Sequence, residues 1–433
     1  MKKRMYVGAG ASAGIAIVAI AATVVSGAFA RSSATPLPAS SCSSIQNPSG
    51  QILVASDLPL EGSGRTQTEQ MTRAIKFIFQ QHGWKAGKYS VAYQSCDDAT
   101  AQAGKWDSGK VSQNANAYAQ DQSVGAVIGT FNSGAAEIAI PILNRAPNGP
   151  VAMVSPANTY VGLTHPGPGT VAGEPGKYYP TGKRNYARVV AADDYQGAAD
   201  ALLAQRQGVK KVFILNDKEA YGLGVATNFK NAAQKLGIKV VGFTAWDGKA
   251  SSYEALAVKI NSSGAQGVFL GGLICENGGK LIKDIRGGVA SSVKIMMPDG
   301  FTPVSATVQQ AGSAANGAFV SVAGLPNSSL KGAGKAFVAA FTKADHQAPD
   351  PYSVYAAQAA EVVIAAIAQS DGTRADIAKQ LFKVHLTNTI LGTVSFNSNG
   401  DVTANPVTIY KVVGGKSTTY GVIVPPRKLV KAA

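Results

Sequence analysis

At 433 residues, 45% hydrophobic and 15% charged, the chain is too apolar to be disordered and too long for one hydrophobic core, so two domains are expected. The formal net charge of +15 invites a nucleic-acid reading, but Lys2, Lys3 and Arg4 lie at the extreme N-terminus. The other cations are scattered, with no dense basic run or aromatic RNA-binding motif, which argues against a nucleic-acid partner.

The first expected element is a targeting segment. Lys2-Lys3-Arg4 precede an apolar run over 6–25, and Ala28-Phe29-Ala30 makes an A-x-A cleavage site before Arg31. Residues 1–30 read as a signal peptide, with an uncleaved anchor or lipidation at Cys42 as alternatives. Each exports the rest of the chain to a periplasm or cell envelope. Residues 31–47, rich in Ser, Pro and Ala, read as a tether, and 426–433 as a C-terminal tail.

Short apolar runs then alternate with longer amphipathic segments. "QILVASDLPL" predicts a strand, 68–81 a helix, "YSVAYQS" a strand, and a polar helix follows from about Ser112. "VGAVIGTF", "GAAEIAIPILNRA" and "VAMVS" read as strand, helix and strand. A second round begins after Asp193-Asp194: the helix "QGAADALLAQRQG", then strands "KKVFILND", "KVVGFTAW", "GVFLGG" and "KIMMPDG" separated by helices. "GAFVSVAGL", a helix over 355–369 and β-structure over 393–424 with an "NSNGD" turn complete the pattern. Continuous apolar strands alternating with helices predict an α/β protein of two doubly wound, Rossmann-like units.

Nothing in the sequence calls for an enzyme. The four histidines lack metal-ligand spacing, and no G-x-S-x-G elbow, P-loop or C-x-x-C occurs. The glycines of "VGAGASAG" and "HPGPGTVAG" lack the strand–turn–helix setting of a dinucleotide site. In Asp97-Asp98 and Asp193-Asp194, one carboxylate is expected to cap a helix while its neighbour meets solvent. No catalytic residue, metal or cofactor is therefore expected. Export permits a disulfide; Cys42 and Cys96 are the candidate pair, with Cys275 left as a buried thiol.

The polar residues gather instead where strands end: "DLPLEGSGR", "TFNSGAA" and "SPANTY" in the first unit, "NDKEAYGLG", "GGLICENGG" and "PDGFTP" in the second. Ligands of open parallel sheets bind at those ends, beside helix N-termini. Hydroxyls and N–H groups of the first unit suit a carboxylate, and Tyr221 and Asp299 of the second suit an ammonium. One zwitterion bridging the units is the expectation.

"VIGTFNSG", "MVSPANT", "RVVAADDYQGAADA", "ILNDKEAYGLG", "FLGGL" and "MMPDGF", in that order, resemble the leucine/isoleucine/valine-binding family of type I periplasmic binding proteins. The resemblance runs from about Gln51 to Val424. It implies two lobes joined by three crossing strands, 48–193 plus 326–395 and 194–325 plus 396–425, which close on a ligand by hinge bending. It implies a monomer that captures an aliphatic amino acid and delivers it to the membrane permease of an ATP-binding-cassette importer. An amide, a urea-like compound or a larger amino-acid derivative is the alternative ligand, and a sensor or an enzyme on the same lobes the alternative role. By this resemblance Ser133, Ala157 and Thr159 contact the carboxylate, Tyr221 and Asp299 the amine, and Tyr355 the side-chain pocket. Asp299 stands where the family usually has Glu. Arg65 and Glu276 depart from the family's aromatics and are expected to read polar ligand groups or to form a charged rim.

Overall fold

The apolar runs become two mainly parallel sheets. The structure is a computed structural model that describes residues 34–430. The expected signal peptide, the start of the tether and the last three residues lie outside the described residues. In the first sheet Lys85–Ala86, Tyr89–Asp97, Ile52–Leu58, Val124–Gly129, Ala152–Ser155 and Tyr186–Arg188 lie in that order. Its pairings are parallel except for the short Lys85–Ala86 hairpin. The second sheet runs Lys239–Ala245, Lys211–Asn216, Gly267–Gly271, Lys294–Met297, Phe319–Val322, Val407–Val413, Lys416–Ile423, and its last two strands are antiparallel.

Helices cover both faces of each sheet, which is why the strands carry so little alternation. Ile52–Leu58, Val124–Gly129 and Gly267–Gly271 are buried at every position. Along the first strand Ile52, Val54 and Leu58 pack with Met71, Phe79 and the helix Pro351–Ala368, while Leu53 and Ala55 pack on the other face with Val111, Tyr118 and Ile140. The side-chain period of two therefore feeds two cores from one strand.

Setting aside the short Lys85–Ala86, in both sheets the first strand lies between the next two, Ile52–Leu58 between Tyr89–Asp97 and Val124–Gly129 and Lys211–Asn216 between Lys239–Ala245 and Gly267–Gly271. The order consequently reverses between Ile52–Leu58 and Val124–Gly129, and again between Lys211–Asn216 and Gly267–Gly271. The chain passes between the lobes three times, over 189–192, 323–331 and 396–406. Among the described residues the third passage carries isolated bridges rather than a continuous ladder: Asp401 pairs with Arg188, at the end of Tyr186–Arg188, and Phe396 with Val402.

Several local expectations change. Residues 34–50 are not a free tether: Gln46 and Tyr93 exchange backbone hydrogen bonds, Ser43 N–H donates to Ser95 O, and Cys42 is disulfide-bonded to Cys96. The segment thus covers the outer edge of Tyr89–Asp97, which would otherwise present unpaired backbone groups. The polar helix begins at Ser108 rather than 112, because the Asp107 side chain accepts from Lys110 N–H and caps it. The hairpin of Ala99–Thr100 with Lys105–Trp106 and the helices Gly332–Asp345 and Arg374–Leu381 add to the expected elements.

Candidate functional site

Each order reversal opens a crevice at the carboxyl ends of its sheet. The two crevices face one another across a cavity lined by Pro59, Ser63, Trp106 and Phe131 from the first lobe, and by Leu273, Cys275, Gly300 and Thr302 from the second.

On the first-lobe side, Ser133 opens the helix Ser133–Asn144, and its Oγ accepts from Tyr160 N–H at 3.3 Å. That bond ties the helix N-terminus to the 156–160 loop. Ser155 Oγ donates to Thr130 O at 2.9 Å and accepts from Ala157 N–H at 3.1 Å and Asn158 N–H at 2.8 Å. The Ala157 N–H, expected as a ligand contact, is therefore committed inside the loop. Beneath it the buried Arg188 guanidinium donates to Asn158 O and Tyr160 O, and also to Asp401 Oδ1 at 2.8 Å.

On the second-lobe side Tyr221, in the first turn of the helix Ala220–Lys235, meets Asp299, just past the strand Lys294–Met297. The Tyr221 hydroxyl donates to Asp299 Oδ1 at 2.6 Å and accepts from Gly300 N–H at 2.8 Å. Tyr352, from the helix that covers the first sheet, donates to Asp299 Oδ2 at 2.6 Å. Burial raises the Asp299 carboxyl above the usual carboxylate range, while the two phenol bonds pull it back.

A second buried acid lies within electrostatic reach of Asp299. Asp193 N–H donates to Thr159 O at 2.8 Å, and its carboxylate faces the Thr159 side chain. Neither Thr159 Oγ1 nor either Asp193 oxygen is otherwise satisfied among the described residues. Burial holds the Asp193 carboxyl well above its ordinary pKa, and the nearby Asp299 adds to the rise. Asp98 is also fully buried, so the expectation that each acidic pair merely caps and solvates fails at both.

Three expected contacts lie elsewhere. Arg65 is 57% exposed and pairs with Glu69 one helical turn away, as a surface ion pair. Glu276 reaches across the cleft to Lys105, which also pairs with Glu219 at 3.0 Å, so its charge is spent on the opposite lobe. The Tyr355 hydroxyl accepts from Leu325 N–H at 2.7 Å, in the second passage, and its ring is part of the first-lobe core. Among the described residues no group of three or more His, Cys, Asp or Glu side chains is placed to hold a metal ion.

A sequence pattern for periplasmic binding proteins matches residues 52–417. The leucine-, isoleucine-, valine-, threonine- and alanine-binding protein of Pseudomonas aeruginosa is 30% identical over 227 residues, 52% of this chain and 59% of that protein, so the match spans under two thirds of the relative. The solved leucine binding protein LivK of Thermotoga maritima matches with a TM-score of 0.73 at 21% identity, covering 86% of this chain and 99% of that one. A solute binding protein of R. palustris, in complex with benzoate, matches with a TM-score of 0.69 at 20% identity, covering 86% and 96%. At such identities the structures show the fold.

Proposed function

The chain belongs to the periplasmic binding protein family, and we propose that it is the exported receptor of an ATP-binding-cassette importer that captures an α-amino acid between its lobes. The observation that carries this reading is that unlike groups gather at the strand ends of the two lobes, next to the residues that line the cavity. Ser133 and the N-terminal turn of its helix offer a hydroxyl and backbone N–H groups to a carboxylate. Asp193, Thr159 and the Tyr221–Asp299–Tyr352 set offer acceptors to an ammonium. An ammonium beside Asp193 would supply the missing partner of a buried carboxyl, a charge-assisted bond stronger than the same contact in water. Ala157, Thr159, Ser133, Tyr221 and Asp299 remain the proposed contacts, with the Ala157 carbonyl replacing its N–H, and Asp193 and Tyr352 join them.

Delivery to a permease follows from closure. Contacts such as Lys105 with Glu276, and Tyr352 with Asp299, exist only when the lobes meet, so the closed face is a distinct surface for a membrane partner. A second reading, an aromatic carboxylic acid without an amine, is favoured by Trp106 and Phe131 in the cavity wall and by the benzoate-bound relative.

A thermal-shift screen of the mature protein against amino acids, amides and benzoates separates the two. Amino acids should raise the melting temperature and benzoates should not. Asp193→Asn should weaken amino-acid binding roughly 100-fold, the cost of removing one partner from a buried charged pair. If benzoates stabilise and amino acids do not, or if Asp193→Asn leaves amino-acid affinity intact, the amino-acid reading is wrong.

A further inference from the structure

Two donors in the cavity wall remain outside the amino-acid contacts. Trp106 Nε1 and Ser63 Oγ are buried from solvent and have no hydrogen-bond partner among the described residues, and both residues line the cavity. They are held there by backbone packing. A Cβ on Gly62 would lie 1.8 Å from Gly104 O, so the loop bearing Ser63 sits directly on the hairpin bearing Trp106. A Cβ on Gly134 would lie 2.6 Å from the Trp106 ring, which places the indole against the first turn of the Ser133 helix, beside the proposed carboxylate site.

The neighbouring polar groups are differently occupied. Thr302 Oγ1 donates to Asp299 O at 2.7 Å, and Lys105 is shared between Glu219 and Glu276. The rest of the wall is mainly apolar, Pro59, Phe131, Leu273 and Ile274, with Asn132 at the start of the Ser133 helix and the Cys275 thiol beside them. An indole N–H can only donate, so an aliphatic ligand leaves it unmade in a dry pocket. One lysine against Glu219, Glu276 and the nearby Glu61 leaves the mouth net acidic, which disfavours an anionic side chain.

Resting on the amino-acid reading above, we propose that this cavity selects amino acids whose short side chain carries a neutral hydrogen-bond acceptor, an amide carbonyl or a hydroxyl. Trp106 Nε1–H and Ser63 Oγ–H read that acceptor. A site built to hydrogen-bond a substrate group rejects the analogue lacking it far more strongly than an apolar pocket rejects an added hydroxyl.

The test is calorimetry on the mature protein, stripped of carried-over ligand by unfolding and refolding, with isosteric pairs: valine against threonine, and leucine against asparagine. In the wild type at least one polar member should bind roughly tenfold or more tightly than its isostere. Trp106→Phe with Ser63→Ala, which keeps the aromatic wall, should erase that preference. Aliphatic members binding as tightly as their isosteres, or lysine binding more tightly than both, overturns the proposal while amino-acid capture stands. A preference that survives in a folded double variant also overturns it, because other groups then read the side chain. Binding of no amino acid at all sinks the amino-acid reading itself, a separate outcome. Should the double variant not fold, the wild-type isostere ratios alone decide.

Discussion

At the hinge, Asp401, His165 and Asp194 form a network around the fully buried Arg188, with His165 24% exposed, whereas at the mouth of the cleft Lys105 joins Glu219 and Glu276 with 30% of its side chain exposed. Both clusters link residues on opposite sides of a lobe boundary. Arg188 is fully buried, and every partner of its guanidinium is fixed backbone, hydroxyl or carboxylate. Lys105 is a flexible cation shared between two rim carboxylates. The first arrangement suits a joint that holds in every state, and the second a contact that forms and breaks with closure. Charge in the interior is committed, because leaving it unpaired is expensive; charge at the rim is exchangeable, because water replaces the partner at little cost.

The largest effect should come from Arg188→Met. It strands the Asp401 carboxylate and two loop carbonyls, and should cost about 3–5 kcal/mol of unfolding free energy in a urea titration. A loss no greater than that of Lys105→Met would abolish the distinction between the clusters.

His165 sharpens the comparison through pH. Burial alone would lower its pKa, but hydrogen bonds to Asp194 and Asp401 outweigh that and hold it up at about 9. The folded state therefore favours the imidazolium. Its stabilisation is complete below the ordinary value of 6.5 and is lost as pH rises through about 9. Roughly 3 kcal/mol should disappear across that window in the wild type. His165→Gln should be less stable at the acidic end and flat through the window; a parallel decline in the variant would remove the histidine from the account.

The smallest effect belongs to the mouth. Lys105→Met should change unfolding free energy by less than about 1 kcal/mol, because the pair is half-open to water. The same change should speed dissociation of whatever ligand binds roughly 2–5-fold, and high salt should speed wild-type dissociation similarly. Stopped-flow release, with and without salt, reads both.

Much of the fold was legible along the chain. Apolar runs such as "VGAVIG" and "GVFLG" have no reason to be so uniformly apolar unless both faces are covered, and each became a central strand. Tyr221 and Asp299 were legible as a pair because each stands at a strand end, and strand ends of one sheet share an edge. Trp106 escaped notice because its strand is two residues long and carries no periodic signal. Tyr352 escaped because it opens a helix that covers the first sheet, yet reaches the second lobe's acid. Arg65 and Glu276 take the second of their two expected roles, charges paired near the rim, for one shared reason: a charge near a cleft takes the nearest opposite charge, and sequence does not show which is nearest.

The sequence by itself determined the two α/β units, their strand order of apolar runs and the strand ends at which polar groups collect. Those depend on local periodicity and on turn residues, which act over a few positions. Only the tertiary structure decided which polar groups are already spent and which remain free. Lys105 meets Glu276 across 171 residues and Arg188 meets Asp401 across 213, while Trp106 Nε1 and Ser63 Oγ are left in the cavity wall and the Asp193 carboxyl is left buried without a hydrogen-bond donor. Burial and pairing arise when the lobes come together, so no stretch of chain carries them alone.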